Sequence, residues 1–207
     1  MLLRGLFVFL SFFALFIAGS GFVYAQSEAE KSEGGDFLSD PLKTERAQAL
    51  NSAVSAKIKS LDYADAQHFF ILYKNYTMVS AVKAVEADLK MAVDACSEEN
   101  PKMKKDLNSR YEAWHDAVAK SMESAMSNIN NMILAQTYES RANLESLFRE
   151  ADDVRADTDS QFKKIPVSTP EACEYMVSKM EETRDQMISL LSTTLVTYPT
   201  AVQRSQP

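Results

Sequence analysis

Apolar side chains recur every three or four positions along most of this chain. The pattern runs through one long segment and returns in two later ones. The repeating positions are Ile71, Met78, Val82, Val85, Leu89, Ala92 and Cys96, then Leu107, Tyr111, Trp114, Val118, Ala125, Ile129 and Met132, and finally Cys173, Met176, Met180, Met187, Leu190 and Leu195. This spacing places apolar side chains on one face of an α-helix, and it is typical of the seams of coiled-coil-like helix packing.

Glycine and proline indicate where the helices end. The chain has no glycine after Gly35 and lacks the signals of strands and hairpins, so an all-α fold is predicted. A capping side chain precedes proline at Asp40-Pro41, Asn100-Pro101 and Thr169-Pro170. We predict a short helix over 41–60 and four larger ones over 63–98, 101–137, 141–164 and 170–198. Since the connections are short, an antiparallel up-down-up-down four-helix bundle with a short extra N-terminal helix is expected.

The first 25 residues have the pattern of a secretory signal peptide. Arg4 supplies positive charge, Leu6–Ile17 is apolar, and the small-x-small sequence before Gln26 is typical of a cleavage site near Ala25. Cleavage predicts a periplasmic or secreted protein. In the alternative, residues 5–24 stay attached and anchor the chain, because about 20 apolar residues span a bilayer.

Residues 26–207 divide into three segments. Residues 26–40 are rich in Ser, Glu and Gly, and they predict a flexible leader. The helical bundle domain is expected over 41–200, followed by a flexible tail over 201–207.

Two cysteines fall at matching ends of predicted helices. Cys96 is near the end of the second helix and Cys173 near the start of the last, and an up-down-up-down order brings these two ends together. Because exported proteins fold where thiols oxidise, we predict a structural disulfide. Two buried thiols or a redox-active pair are the alternatives, although the CxxC spacing of redox sites is missing.

Net charge excludes one class of partner. The chain has 22 basic and 29 acidic residues and a net charge of −7; removal of residues 1–25 takes away Arg4 alone and gives −8. Nucleic-acid binding needs clustered Lys and Arg, so a nucleic-acid partner is not expected.

A Glu-x-x-His pattern occurs at Glu112 and His115, and Asp65 with His68 is a degenerate copy. Di-iron bundles use two such pairs. In the predicted bundle the two histidines lie about 20 Å apart along its axis, too far to share metal ions. Neither a metal nor a cofactor is therefore predicted.

Two polar residues lie on the apolar side of the second helix when its stripe is extended backwards. They are His68 and Asn75, and the third helix opposite carries Asn128, Asn130, Asn131 and Gln136. Such a polar layer either fixes helix register, as a buried Asn does in coiled coils, or holds a small ligand.

A cluster of acids marks the fourth helix: Glu150, Asp152, Asp153, Asp157 and Asp159, interleaved with Arg149, Arg155 and Lys163. This spacing predicts a solvated face with intrahelical ion pairs.

No activated nucleophile accompanies His68 at a recognisable spacing, and we predict that the protein is not an enzyme. The sequence favours an exported module that binds another protein or acts structurally. The alternative is a periplasmic sensor or small-molecule-binding bundle that uses the polar layer.

Overall fold

The computed structural model describes residues 44–161 and 169–195, and every structural statement below refers to these two ranges. The chain divides after Asp40 into two units, and the described residues all belong to the second. They form five helices, α1 (Glu45–Ser60), α2 (Tyr63–Glu99), α3 (Lys104–Ala135), α4 (Arg141–Ser160) and α5 (Pro170–Ser192), and a 3₁₀ turn (Thr193–Leu195). The predicted all-α fold is confirmed. The predicted signal, leader and tail (1–25, 26–40 and 201–207) lie outside the described residues.

Side-chain caps explain where four of the helices begin. Each cap accepts a hydrogen bond from the backbone N–H three residues later, which satisfies one of the open donors of the first turn. The capping residues are Thr44, Asp62, Ser140 and Thr169. The predicted cap at Thr169-Pro170 is confirmed, with proline in the first helical turn.

The predicted start of α3 was wrong. Asn100 does not cap α3, which begins at Lys104 after Met103, and Met103 makes no capping hydrogen bond through its side chain. Asn100 instead closes α2, because its backbone N–H and its Nδ2 donate to the carbonyl oxygen of Cys96 at 2.9 and 3.1 Å. The amide that precedes the proline therefore ends one helix rather than beginning the next.

The predicted apolar stripes form the core, apart from a shift in α2 and from Leu195 at the end of the last stripe, which is 49% exposed. The predicted stripe of α3 is buried apart from Tyr111, which is half-buried. In α2 the buried apolar positions are Phe69, Leu72, Val79, Val82, Leu89, Val93 and Cys96, whereas Ile71, Met78, Val85 and Ala92 are half-buried. Because α2 packs against all four other helices, its apolar face is wider than one seam, and the predicted stripe is one edge of that face.

Packing between helices is uneven. The contact between α2 and α3 is the most extensive, and that between α3 and α5 is second. Helix α4 packs mainly against α1 and α2. In the described ranges, no helix has both the length and the apolarity needed to cross a bilayer.

The two cysteines lie together, as predicted. Their Sγ atoms are 2.08 Å apart and their Cα atoms 5.9 Å apart, which is disulfide distance. Both residues have 0% exposure. The pair joins the last turn of α2 to the first turn of α5.

Candidate functional site

His68 is buried near the start of α2 and contacts the connection between α3 and α4. It is 1% exposed, and its Nδ1 lies 2.9 Å from the hydroxyl oxygen of Tyr138. Burial lowers the pKa of His68 below its usual 6.5, and the carboxylate of Asp65 opposes part of that shift. The imidazole is therefore held neutral, and its visible polar partner belongs to the protein itself.

Asn75 lies two helical turns further along α2 and has other partners. It is 3% exposed and donates from Nδ2 to the carbonyl oxygen of Thr194 at 3.1 Å. Asn128 of α3 donates to the same oxygen. Thr194, at 0% exposure, follows α5, so the two amides hold the end of α5 against α2 and α3.

The predicted polar layer is thus two separate groups, and two of its predicted members, Asn130 and Asn131, do not belong to it. Asn131 is exposed, as is Asn130, because Asn131 lies about 200° around the helix from Ile129 and Ile133 on the buried face. Gln136 is buried but bonds locally. Its Oε1 accepts from the backbone N–H of Glu139 at 2.9 Å, and its Nε2 donates to the Glu139 carbonyl oxygen at 2.9 Å. Gln136 therefore shapes the turn between α3 and α4.

We predict that His68→Leu and Asn75→Leu each change the free energy of unfolding by no more than about 1 kcal/mol, because neither leaves a fully buried group without a partner. The carbonyl oxygen of Thr194 still accepts from Asn128, and Tyr138 is half-buried. Urea denaturation followed by circular dichroism measures this. If the residues bind a ligand instead, the variants lose thermal stabilisation by that ligand. A loss clearly above about 1 kcal/mol in either variant contradicts the prediction.

The stability of the His68→Leu variant should also depend on pH differently from that of the wild type. The pKa is lowered on folding, so the stability due to neutral His68 is complete above pH 6.5 and is lost as the pH falls through the folded pKa. His68→Leu removes this loss. Its stability relative to the wild type should therefore improve between about pH 7.5 and about pH 5. Asn75→Leu, which has no titrating group at the position, is the control.

A second polar cluster, between α2 and α4, was not anticipated from the sequence. Asp152 accepts hydrogen bonds from the hydroxyl groups of Tyr76, at 2.6 Å, and Ser80. Arg155 donates to Ser80 Oγ at 3.3 Å and to the carbonyl oxygen of Thr77 at 2.9 Å. All of these residues are half-buried. The cluster joins α4 to α2 through polar groups that satisfy one another.

The electrostatics of this cluster favour a structural role over a catalytic one. Burial, reinforced by the carboxylate of Asp152, raises the pKa of Tyr76, so the phenol stays a neutral donor. Burial lowers the pKa of Arg155, with the same carboxylate opposing the shift. The ring of Tyr76 also stacks on Phe148, with 4.1 Å between centroids. Asp152 lies one turn after the buried Phe148, at the edge of the apolar face of α4. This position in the sequence could have indicated that the Asp152 side chain is not fully exposed to solvent.

Three other acids of α4 pair with a different helix. Arg46 of α1 contacts Glu150, Asp153 and Asp157 at 2.6, 2.7 and 2.9 Å. The predicted intrahelical pairs were therefore wrong for these three carboxylates, whereas their predicted exposure holds, since 41–59% of each side chain is exposed. Spacing along one helix gave no sign that a cation would come from α1.

The histidine of the Glu-x-x-His pattern pairs with a carboxylate of another helix. His115 pairs through Nδ1 with Glu86 of α2, while Glu112 is exposed. In the degenerate copy, the Nδ1 of His68 already faces Tyr138. Within the described residues, no group of three or more His, Cys, Asp or Glu side chains is placed to hold a metal ion.

The surface clefts lie away from His68 and Asn75, and one of them adjoins the polar cluster at Asp152. One of about 360 Å³ is lined by Ser146, Arg149, Glu150, Asp152 and Asp153, and another of about 190 Å³ by Lys120, Ser121, Ser124, Ser192 and Leu195. Neither is lined by His68 or Asn75. The buried Nε1 of Trp114 has no hydrogen-bond partner among the described residues, but it too lines neither cleft. It represents an energetic cost within the core.

No protein-family model matches the chain, and comparisons with curated proteins and with solved structures also find no match.

Proposed function

We propose that α2 to α5 run alternately up and down, as the sequence predicts. The order of contacts supports this. Glu86 of α2 contacts His115 of α3. Ser97, which lies later in α2, contacts Asn108, which lies earlier in α3, as expected for antiparallel helices. The contacts of α2 with the α5 region also run in opposite directions, with Cys96 near Cys173 and Asn75 near Thr194.

The fourth helix requires a modification of the regular bundle. Tyr76 of α2 contacts Phe148 of α4, and one turn later in both helices Ser80 contacts Asp152. Residue numbers therefore increase in the same direction in α2 and α4, as expected for parallel helices. In a regular ring α3 and α5 would be diagonal, yet their contact is extensive. Our proposal therefore has α2, α3 and α5 as a three-helix centre, with α4 and α1 packed beside α2.

For this scaffold we propose the role of an exported structural or protein-interaction module without catalysis. The observation that carries the proposal is how the buried polar groups are used. His68 and Asn75 each bond to another element of the same chain and line neither cleft, so they set helix register. Asp152 lines one cleft, but it too bonds to another helix, through the hydroxyl group of Tyr76. The partner would be another protein. The cysteine pair supports export, since persistent disulfides are typical of oxidising compartments.

Capture of partners by the full chain tests this role. We expect cross-linking and mass spectrometry of the exported fraction to identify a protein whose recovery depends on exposed apolar side chains. Tyr63 and Phe70, 79% and 52% exposed, lie seven residues apart on one face of α2. A Tyr63→Ser/Phe70→Ser variant should lose the partner, whereas Met91→Ser, at a 51% exposed position, should keep it.

Two results would count against the proposal. One is capture of no protein that survives competition by excess untagged chain. The other is thermal stabilisation by a small molecule that disappears in His68→Leu and Asn75→Leu, which would establish the ligand-binding alternative.

A further inference from the structure

Helix α1 is attached to the rest of the protein differently from the other helices. Only Ala47 and Leu50 of its 16 residues are buried, whereas α2 has ten buried residues. Three further apolar side chains, Val54, Ile58 and Leu61, are half-buried against the core. Since the hydrophobic contribution scales with apolar area removed from water, burial holds α1 weakly.

Ion pairs also attach α1 to the rest of the protein. Near the start of α1, Arg46 is ringed by the three carboxylates of α4 at 2.6–2.9 Å. Near its end, Lys57 pairs with Glu139 in the connection that precedes α4. Lys57, with Asn143 and the backbone of Ser140, lowers the pKa of Glu139 to about 2. The helix is thus fastened at both ends by ion pairs between different elements.

Nothing in α2 requires α1 to stay docked. The connection is only Leu61 and Asp62, and α2 has its own cap, since Asp62 Oδ1 accepts from the backbone N–H of Asp65 at 2.9 Å. At the far end, Cys96 ties α2 to α5. The loss of α1 would leave these supports intact.

We propose that α1 is an electrostatically latched arm, released from α2 and α4 by rising ionic strength or by loss of Arg46 while α2–α5 remain folded. The partly exposed ion pairs are open to screening, whereas the apolar core of α2, α3 and α5 is not. Release uncovers the acidic face of α4 and the adjoining surface of α2. This inference stands apart from the proposed function.

Hydrogen–deuterium exchange of the full chain, resolved by mass spectrometry, tests the arm. Raising NaCl from about 0.05 M to about 1 M shortens the screening length to about 3 Å. We expect α1 amides to exchange about tenfold faster, with α2–α5 changed by less than about twofold. Arg46→Glu should release α1 already at low salt and remove the salt response.

The controls use charges of the same kind in other places. Arg141→Glu changes an exposed arginine whose partner, Glu145, is on its own helix, and α1 should keep its protection. Adding Asp153→Arg to Arg46→Glu should restore part of it. The inference is overturned if α1 protection is unchanged by salt and by Arg46→Glu. It is equally overturned if α1 and α2–α5 lose protection together.

Discussion

Replacing both cysteines, as Cys96→Ala/Cys173→Ala, is expected to lower the free energy of unfolding by roughly 2–5 kcal/mol. The bond closes a loop of 77 residues and thereby restricts the unfolded chain. Because four of the five helices have side-chain caps and all have apolar faces, the far-ultraviolet circular dichroism of the variant should stay helical. Urea denaturation of the oxidised wild type and of the variant measures the difference.

Reduction provides the matched control. A reductant should shift the wild-type urea midpoint towards that of the double variant and leave the variant itself unchanged. Mass spectrometry after thiol labelling of the denatured, unreduced protein should find no modified cysteine. Two labelled thiols in protein purified under oxidising conditions would contradict the prediction.

Asp152→Ala is expected to cost roughly 2–4 kcal/mol, more than any other single acid of α4. It removes the acceptor of Tyr76 and Ser80 and leaves the half-buried guanidinium of Arg155 without its nearby carboxylate. Removing one partner from a buried charged network costs about 3–5 kcal/mol, and partial exposure reduces that figure here. Denaturation at constant pH and salt measures it.

The adjacent residue is the control. Asp153 is 59% exposed at its side chain, and Asp153→Ala should stay within about 1 kcal/mol of the wild type. Tyr76→Phe removes one hydrogen bond but keeps the stacked ring, and about 1 kcal/mol is expected. Equal losses for Asp152→Ala and Asp153→Ala would mean that the cluster contributes no more than an ordinary surface pair.

Helix positions could be predicted because their determinants are local. The cap at Thr169 and the apolar spacing of α3 are properties of short stretches of sequence. The predicted start of α3 was wrong because Asn100 could either end one helix or begin the next, and in the structure it ends α2, where its backbone N–H and its Nδ2 donate to the carbonyl oxygen of Cys96. Sequence alone does not decide that competition.

The candidate site was predictable in part for the same reason. Burial of His68 and Asn75 followed from extending one stripe, since helical periodicity fixes the face of each side chain. Their partners, Tyr138 and Thr194, come from distant elements and depend on how the helices pack. The pairing of Arg46 with α4 has the same origin, and helical spacing within α4 carries no trace of it.

The carbonyl group of Thr194 sets a practical limit on where the chain can be shortened. It lies beyond the last turn of α5, yet it is the shared acceptor for amides from α2 and α3. An expression clone that stops at Ser192 would strand both donors, one on a side chain only 3% exposed, and buried donors without acceptors are costly. Affinity tags and fluorescent fusions therefore belong after Leu195.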